Sequence, residues 1–145
     1  MSVRLTGPPR GTRGLSRGRV LADARALLAA LGREEAELSI ALVGDAAGAA
    51  LNRRWRGRRG ATDVLSFSLL EGAHPRYRGA LLGDVVIAVG VAARQARAQG
   101  HPLAAEIRRL LIHGVLHLLG YDHARADEAR AMRAKERALW RKLSE

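Results

Sequence analysis

Three of the chain's five histidines fall within eleven residues, in the string HGVLHLLGYDH from His113 to His123, and no other segment constrains the fold as tightly. His113 and His117 are four residues apart. On an α-helix that spacing sets two side chains on one face, one above the other, so both imidazoles can approach a single ion. Gly120 can take positive φ, which ends the helix and lets the chain turn. Tyr121 and Asp122 carry it back, so that His123 offers a third nitrogen from outside the helix. Gly114 adds to the argument. In a helix interior Gly costs about 1 kcal/mol relative to Ala, so its place beside the histidines points to space or close backbone approach that is needed there.

Three nitrogens leave one coordination position open, which distinguishes catalytic from structural zinc sites: a water bound there can drop in pKa from about 15.7 to about 7. The chain has no cysteine, so a transition metal must be held by imidazole or carboxylate. Zn2+, one per chain, is the expected ion, although three histidines also suit other divalent transition metals. Two acids stand near the histidines or in unusual surroundings. Asp122 has two readings, orienting an imidazole or stabilising the turn. Asp84 interrupts the apolar run LLGDVVIA, and it too has two readings, a site-adjacent carboxylate or a hydrogen-bonded structural one.

With 145 residues and 48% hydrophobic composition, the chain is long enough for one compact domain, expected to cover residues 1–145, and short for two. Its longest apolar stretches fall short of the roughly 18 residues that a membrane span requires. No secretory signal is evident, so a cytoplasmic protein without a membrane partner is expected. Lys and Arg number 25 against 14 Asp and Glu, a net charge of +11 that favours polyanionic partners. The basic residues are concentrated at one place: five of the seven residues from Arg53 to Arg59 are arginine.

Along the chain, Ser2 to Leu5 reads as a short strand, and the Gly, Pro and Arg-rich Thr6 to Gly18 as a loop. Val20, Leu21, Ala24, Leu27, Leu28 and Leu31 follow helical spacing that stops at Gly32. Glu37 to Val43 alternates like a strand, and Asp45 is placed to cap a helix over Ala46 to Arg54. Asp63 to Leu69 and Leu82 to Val89 read as two further strands joined by a hairpin or a longer loop. Pro102 suits the first turn of a helix running to about Leu118, and Asp127 to Leu143 forms a last, basic amphipathic helix.

The spacing H-x-x-x-H-x-x-G-x-x-H also occurs in metzincin proteases, but Gly114 stands where their general-base glutamate follows the first histidine. A zinc-dependent peptidase is therefore the less favoured alternative. The complete string, H-G-x-L-H-L-x-G-Y-D-H, resembles the signature of the YbeY family of bacterial endoribonucleases. LNRRWRG at Leu51 to Gly57, TDVLSF at Thr62 to Phe67 and LLGDVVIA at Leu81 to Ala88 resemble that family's other blocks, in order. Arg59, Ala61 and Ser68 depart from the residues common there.

The resemblance implies a zincin-like α+β fold, with a small mixed β-sheet, about five helices and a metal site at the end of a central helix. It implies a metal held by His113, His117 and His123, and metal-dependent cleavage of single-stranded RNA in 3′-end maturation of small-subunit rRNA and ribosome quality control. Arg56 matches the family's functional arginine. A cation and a guanidinium can together stabilise a phosphodiester transition state, so Arg56 is the expected catalytic residue, with Arg53, Arg54, Arg58 and Arg59 steering the RNA backbone. The nucleophile is either metal-bound water or a ribose 2′-OH. A non-catalytic ribosome-assembly factor with a structural metal is a third reading. With five aromatic residues in the chain, phosphate contacts should dominate, giving weak sequence preference and binding that falls steeply with salt.

Overall fold

A computed structural model describes residues 2–56, 64–68, 81–121 and 125–144, with backbone alone for 2, 51–56, 64–68 and 81. The elements run β1 (Ser2–Thr6), α1 (Arg17–Ala30), β2 (Glu37–Val43), α2 (Asp45–Arg56), β3 (Val64–Ser68), β4 (Leu81–Ala88), α3 (Val89–Gln99), α4 (Leu103–Leu118) and α5 (Ala126–Leu143). The fold is α+β, with one mixed sheet and five helices among the described residues.

The sheet order is β1-β2-β4-β3. β1, β2 and β4 are parallel, and β3 joins the far edge antiparallel to β4, pairing Val64 with Ile87 and Ser68 with Gly83. The two strands expected at Asp63 to Leu69 and Leu82 to Val89 are therefore direct neighbours, and the segment joining them lies outside the described residues. In β2, Leu38, Ile40 and Leu42 are buried while their neighbours are not, the alternation of a strand with one core face. β4 differs because it is central: Leu82 and Val85 to Ala88 are all buried, which needs cover on both faces.

α1 begins where the Ser16 hydroxyl accepts a hydrogen bond from the Arg19 amide, and it buries Val20, Ala24, Leu27 and Leu28. Arg17 reaches back from its first turn to the carbonyls of Leu5 and Gly7, which fastens the loop after β1. The helix predicted over Ala46 to Arg54 is one residue longer at its start. Asp45 lies inside the first turn instead of ahead of it, and its carboxylate pairs with Arg94 at 2.9 Å. That carboxylate also sits against Gly90, where a Cβ would come within 2.5 Å of Oδ1. The first turn of α3, which lacks a side-chain cap of its own, thus receives a negative charge from α2.

α4 is the central helix. It contacts β3, β4, α1, α3 and α5, and buries Ile107, Leu110, Leu111, Ile112, Val115, Leu116 and Leu118. One hydrophobic cluster joins these to residues of β1, α1, β2, β4, α3 and α5. Two paired carboxylates steady α4 at its N-terminal half. Arg108 forks onto Asp23 of α1 with both bonds 3.1 Å, and Glu106, fully buried, is held by Arg109 at 2.6 Å and His101 at 2.8 Å. Burial works hardest on the Glu106 carboxyl and by itself would raise its pKa. The hydrogen bonds and charges of Arg109 and His101 outweigh it, so the pKa lies below the ordinary value.

Candidate metal centre

The site is built on the last two turns of α4. His113 and His117 are half-buried on one face, flanked by the buried Gly114, Val115 and Leu116. Their rings meet edge to face with centroids 4.7 Å apart and an interplanar angle of 73°. Two nitrogens bound to one zinc at about 2.0–2.1 Å lie no more than about 4 Å from each other, so rings this close fit a shared ion. The helix then ends as its sequence predicts. Gly120 has φ +97°, its amide donates to the His117 carbonyl at 3.0 Å, and the Tyr121 amide donates to the Leu116 carbonyl at 3.0 Å. These two bonds form a Schellman motif, which satisfies the last carbonyls and ends the helix. His123 and Asp122 lie outside the described residues.

A third group enters from α5. Glu136 Oε2 lies 3.2 Å from His113 Nδ1, with both side chains about three-quarters buried at 22% and 25% exposure. The hydrogen bond from His113 is the main influence on the Glu136 carboxyl. It acts against the cost of burial, and together with the positive field of Arg109 it holds the pKa below the ordinary value. An ionised carboxylate only accepts hydrogen bonds, so in this contact His113 Nδ1 is the donor. This carboxylate–imidazole pairing is the usual second layer of a histidine metal site. Among the described residues no three His, Cys, Asp or Glu groups come together that could hold an ion.

Sequence reasoning missed Glu136, although a signal was present. It is the one acid after Glu128 in α5, four residues beyond the buried Met132 and three before the buried Leu139, hence on the inward stripe of an otherwise basic helix. Asp84 sits on β4 opposite Ser39 of β2 and Phe67 of β3, half-buried in the sheet. The arginine cluster is divided. Arg53, Arg54 and Arg56 occupy the last turn of α2, which packs on β4 and α3 as α4 does, while Arg58 and Arg59 lie outside the described residues.

A mixed-sheet α+β fold thus carries a paired-histidine helix end with one imidazole hydrogen-bonded to a carboxylate, residues whose chemistry fits a metal-binding protein. The comparisons place it more narrowly. A family model described as Endoribonuclease YbeY matches residues 18–144. A curated protein named Endoribonuclease YbeY from Anaeromyxobacter dehalogenans is 56% identical over 142 residues, covering 97% of this chain and 71% of that one. A protein of the same name from Persephonella marina is 46% identical over 123 residues, covering 84% and 80%. The chain belongs to the YbeY family. Its fold is similar to the solution structure of TM1509 from Thermotoga maritima, with a TM-score of 0.64 at 24% identity over 97% of this chain and 88% of that one.

Proposed function

We propose that this chain is a metal-dependent, single-strand-specific endoribonuclease of the cytoplasm, a single zincin-like domain acting in 3′-end maturation of small-subunit rRNA and in ribosome quality control. The observation that carries the reading is the half-buried imidazole pair at the end of α4, one ring of which is oriented by Glu136. Membership in a family whose curated members are named endoribonucleases supports it. Among the described residues no helix is long and apolar enough to cross a membrane.

In this reading His113, His117 and His123 hold one Zn2+, which supplies Lewis acidity to a phosphodiester. Glu136 fixes the tautomer and plane of His113, and Asp122 steadies the turn that presents His123. Arg56 clamps the phosphate, where a planar guanidinium matches two equatorial oxygens and stabilises the charge that develops on them. Arg53, Arg54, Arg58 and Arg59 draw in the backbone, and RNA binding weakens as salt releases the counterion contribution. Asp84 acts through the strand that carries it, at the side of α4.

The test is cleavage of a labelled single-stranded RNA by wild type, Arg56→Ala and His117→Ala, with metal content and melting temperature measured on each preparation. Arg56→Ala is expected to keep its metal and lose cleavage, and His117→Ala to lose both while casein remains intact with every protein. Wild-type cleavage by Arg56→Ala, or by His117→Ala without metal, would overturn the reading. Loss of cleavage only in proportion to unfolding would favour a structural metal.

A further inference from the structure

A cavity of about 420 Å³ lies along the seam between α4 and α5, with Ala105, Arg109 and Ile112 on one side and Arg133, Arg137 and Trp140 on the other. From Ala105 to Ile112 the helix rises about 10 Å, and the volume is that of a site for a small organic molecule. Its wall chemistry is mixed in a particular way. Ala105, Ile112 and the Trp140 ring give an apolar lining, and Arg133 and Arg137 are exposed guanidinium groups one turn apart on α5. Among the described residues neither pairs with an acid. Trp140 is held in place by Arg108, whose guanidinium carbon lies 5.3 Å from its ring centroid while also bonding Asp23 and Ser144. The groove adjoins the candidate metal centre through one side chain: Glu136 lines the groove and also contacts His113.

We propose that this groove binds one nucleotide of single-stranded RNA flanking the cleaved bond, the base lying against Trp140 and the apolar wall and the adjoining phosphates bridged by Arg133 and Arg137. This rests on the endoribonuclease reading and adds a subsite to it. A flat, rigid aromatic surface beside uncompensated cations is what sequence-tolerant single-strand binding uses, since every base has a π-face and every link a phosphate. An acidic peptide would also satisfy the arginines. RNA is preferred because the seam leads to the histidine pair, so a strand held at the metal must leave along one of the surfaces beside it, and this one carries an aromatic ring as well as charge.

The test uses full-length, zinc-loaded protein in a Trp55→Phe background, which leaves Trp140 as the single tryptophan. The probe is a short 2′-O-methyl oligoadenylate, whose methylated 2′ oxygen cannot act as nucleophile, and its integrity is checked on a denaturing gel after each titration. Trp140 emission is expected to be quenched on binding. Arg133→Glu combined with Arg137→Glu should weaken binding about tenfold or more and lower the slope of log affinity against log salt by about one for each lost phosphate contact, with melting temperature and zinc content unchanged. Both positions are exposed, so the reversals carry the test in place of Trp140→Ala, which would also release Arg108. Tight oligonucleotide binding with unaltered Trp140 emission and no loss in the double variant would overturn the subsite while leaving the enzyme reading intact. Quenching by polyglutamate as strong as by the oligonucleotide would assign the groove to an acidic protein instead. Failure of the zinc-loaded wild type to cut any RNA would sink the underlying reading, and the subsite with it.

Discussion

Replacing Glu136 with Ala removes the acceptor from His113 Nδ1 and leaves the three histidines proposed to hold the metal in place. The contact is 3.2 Å long, and about a quarter of each side chain remains exposed. A hydrogen bond to a charged group contributes about 1.5–3 kcal/mol, and this length and exposure place it at the lower end, about 1.5–2 kcal/mol. If the whole of that orients the imidazole for coordination, zinc affinity falls about 10- to 30-fold, within the range found when outer carboxylates of metal sites are removed. Glu136→Gln keeps an acceptor oxygen without the charge and should lie between. The assay is competition for zinc against a chromophoric chelator at neutral pH, with melting of the metal-free proteins measured in parallel to separate affinity from folding. A zinc affinity for Glu136→Ala within about twofold of wild type would refute the reasoning, because the bond would then be incidental to the ring's orientation.

Three further outcomes follow from the same geometry. Gly120→Ala forces a side chain into the left-handed region at φ +97° and should cost about 1–2 kcal/mol in chemical denaturation; on the role proposed for His123, three residues further on, it should also weaken zinc binding. Leu111→Ala empties a fully buried position at the centre of α4 and should cost about 2–5 kcal/mol, read from the same denaturation curves. Glu106→Gln should cost about 1.5–3 kcal/mol at neutral pH. Because the native Glu106 pKa is depressed, its contribution is complete above the ordinary value of 4.5 and is lost as pH falls through the lower native value, so the wild-type advantage over Glu106→Gln should shrink in acid.

Elements defined by local rules were legible in the sequence. The helix carrying His113 and His117, its end at Gly120, the alternating β2 and the basic α5 each follow from side-chain period or from the backbone freedom of one glycine. α3 was not legible. Val89 to Ala93 extends the apolar run of β4 without a break, and a glycine at the second helical position reads as a strand irregularity, whereas the structure supplies the missing start signal from Asp45 on another helix. The Asp45 cap was misplaced for the same reason: its carboxylate serves Arg94 and the start of α3, both remote in sequence. Glu136 lies 23 residues from His113, and the two meet only because α5 folds back along α4. Trp140 was likewise one of a few scattered aromatics until that packing set it on the seam with Arg133 and Arg137.

Zinc-edge X-ray absorption on the zinc-loaded chain asks whether His113, His117 and His123 share one cation, as proposed. One zinc per chain is expected, with three imidazole nitrogens at about 2.0–2.1 Å and a lighter fourth ligand, and one imidazole should be lost from the shell in His123→Ala. A shell of oxygens alone, or a spectrum that His123→Ala leaves unchanged, would contradict it.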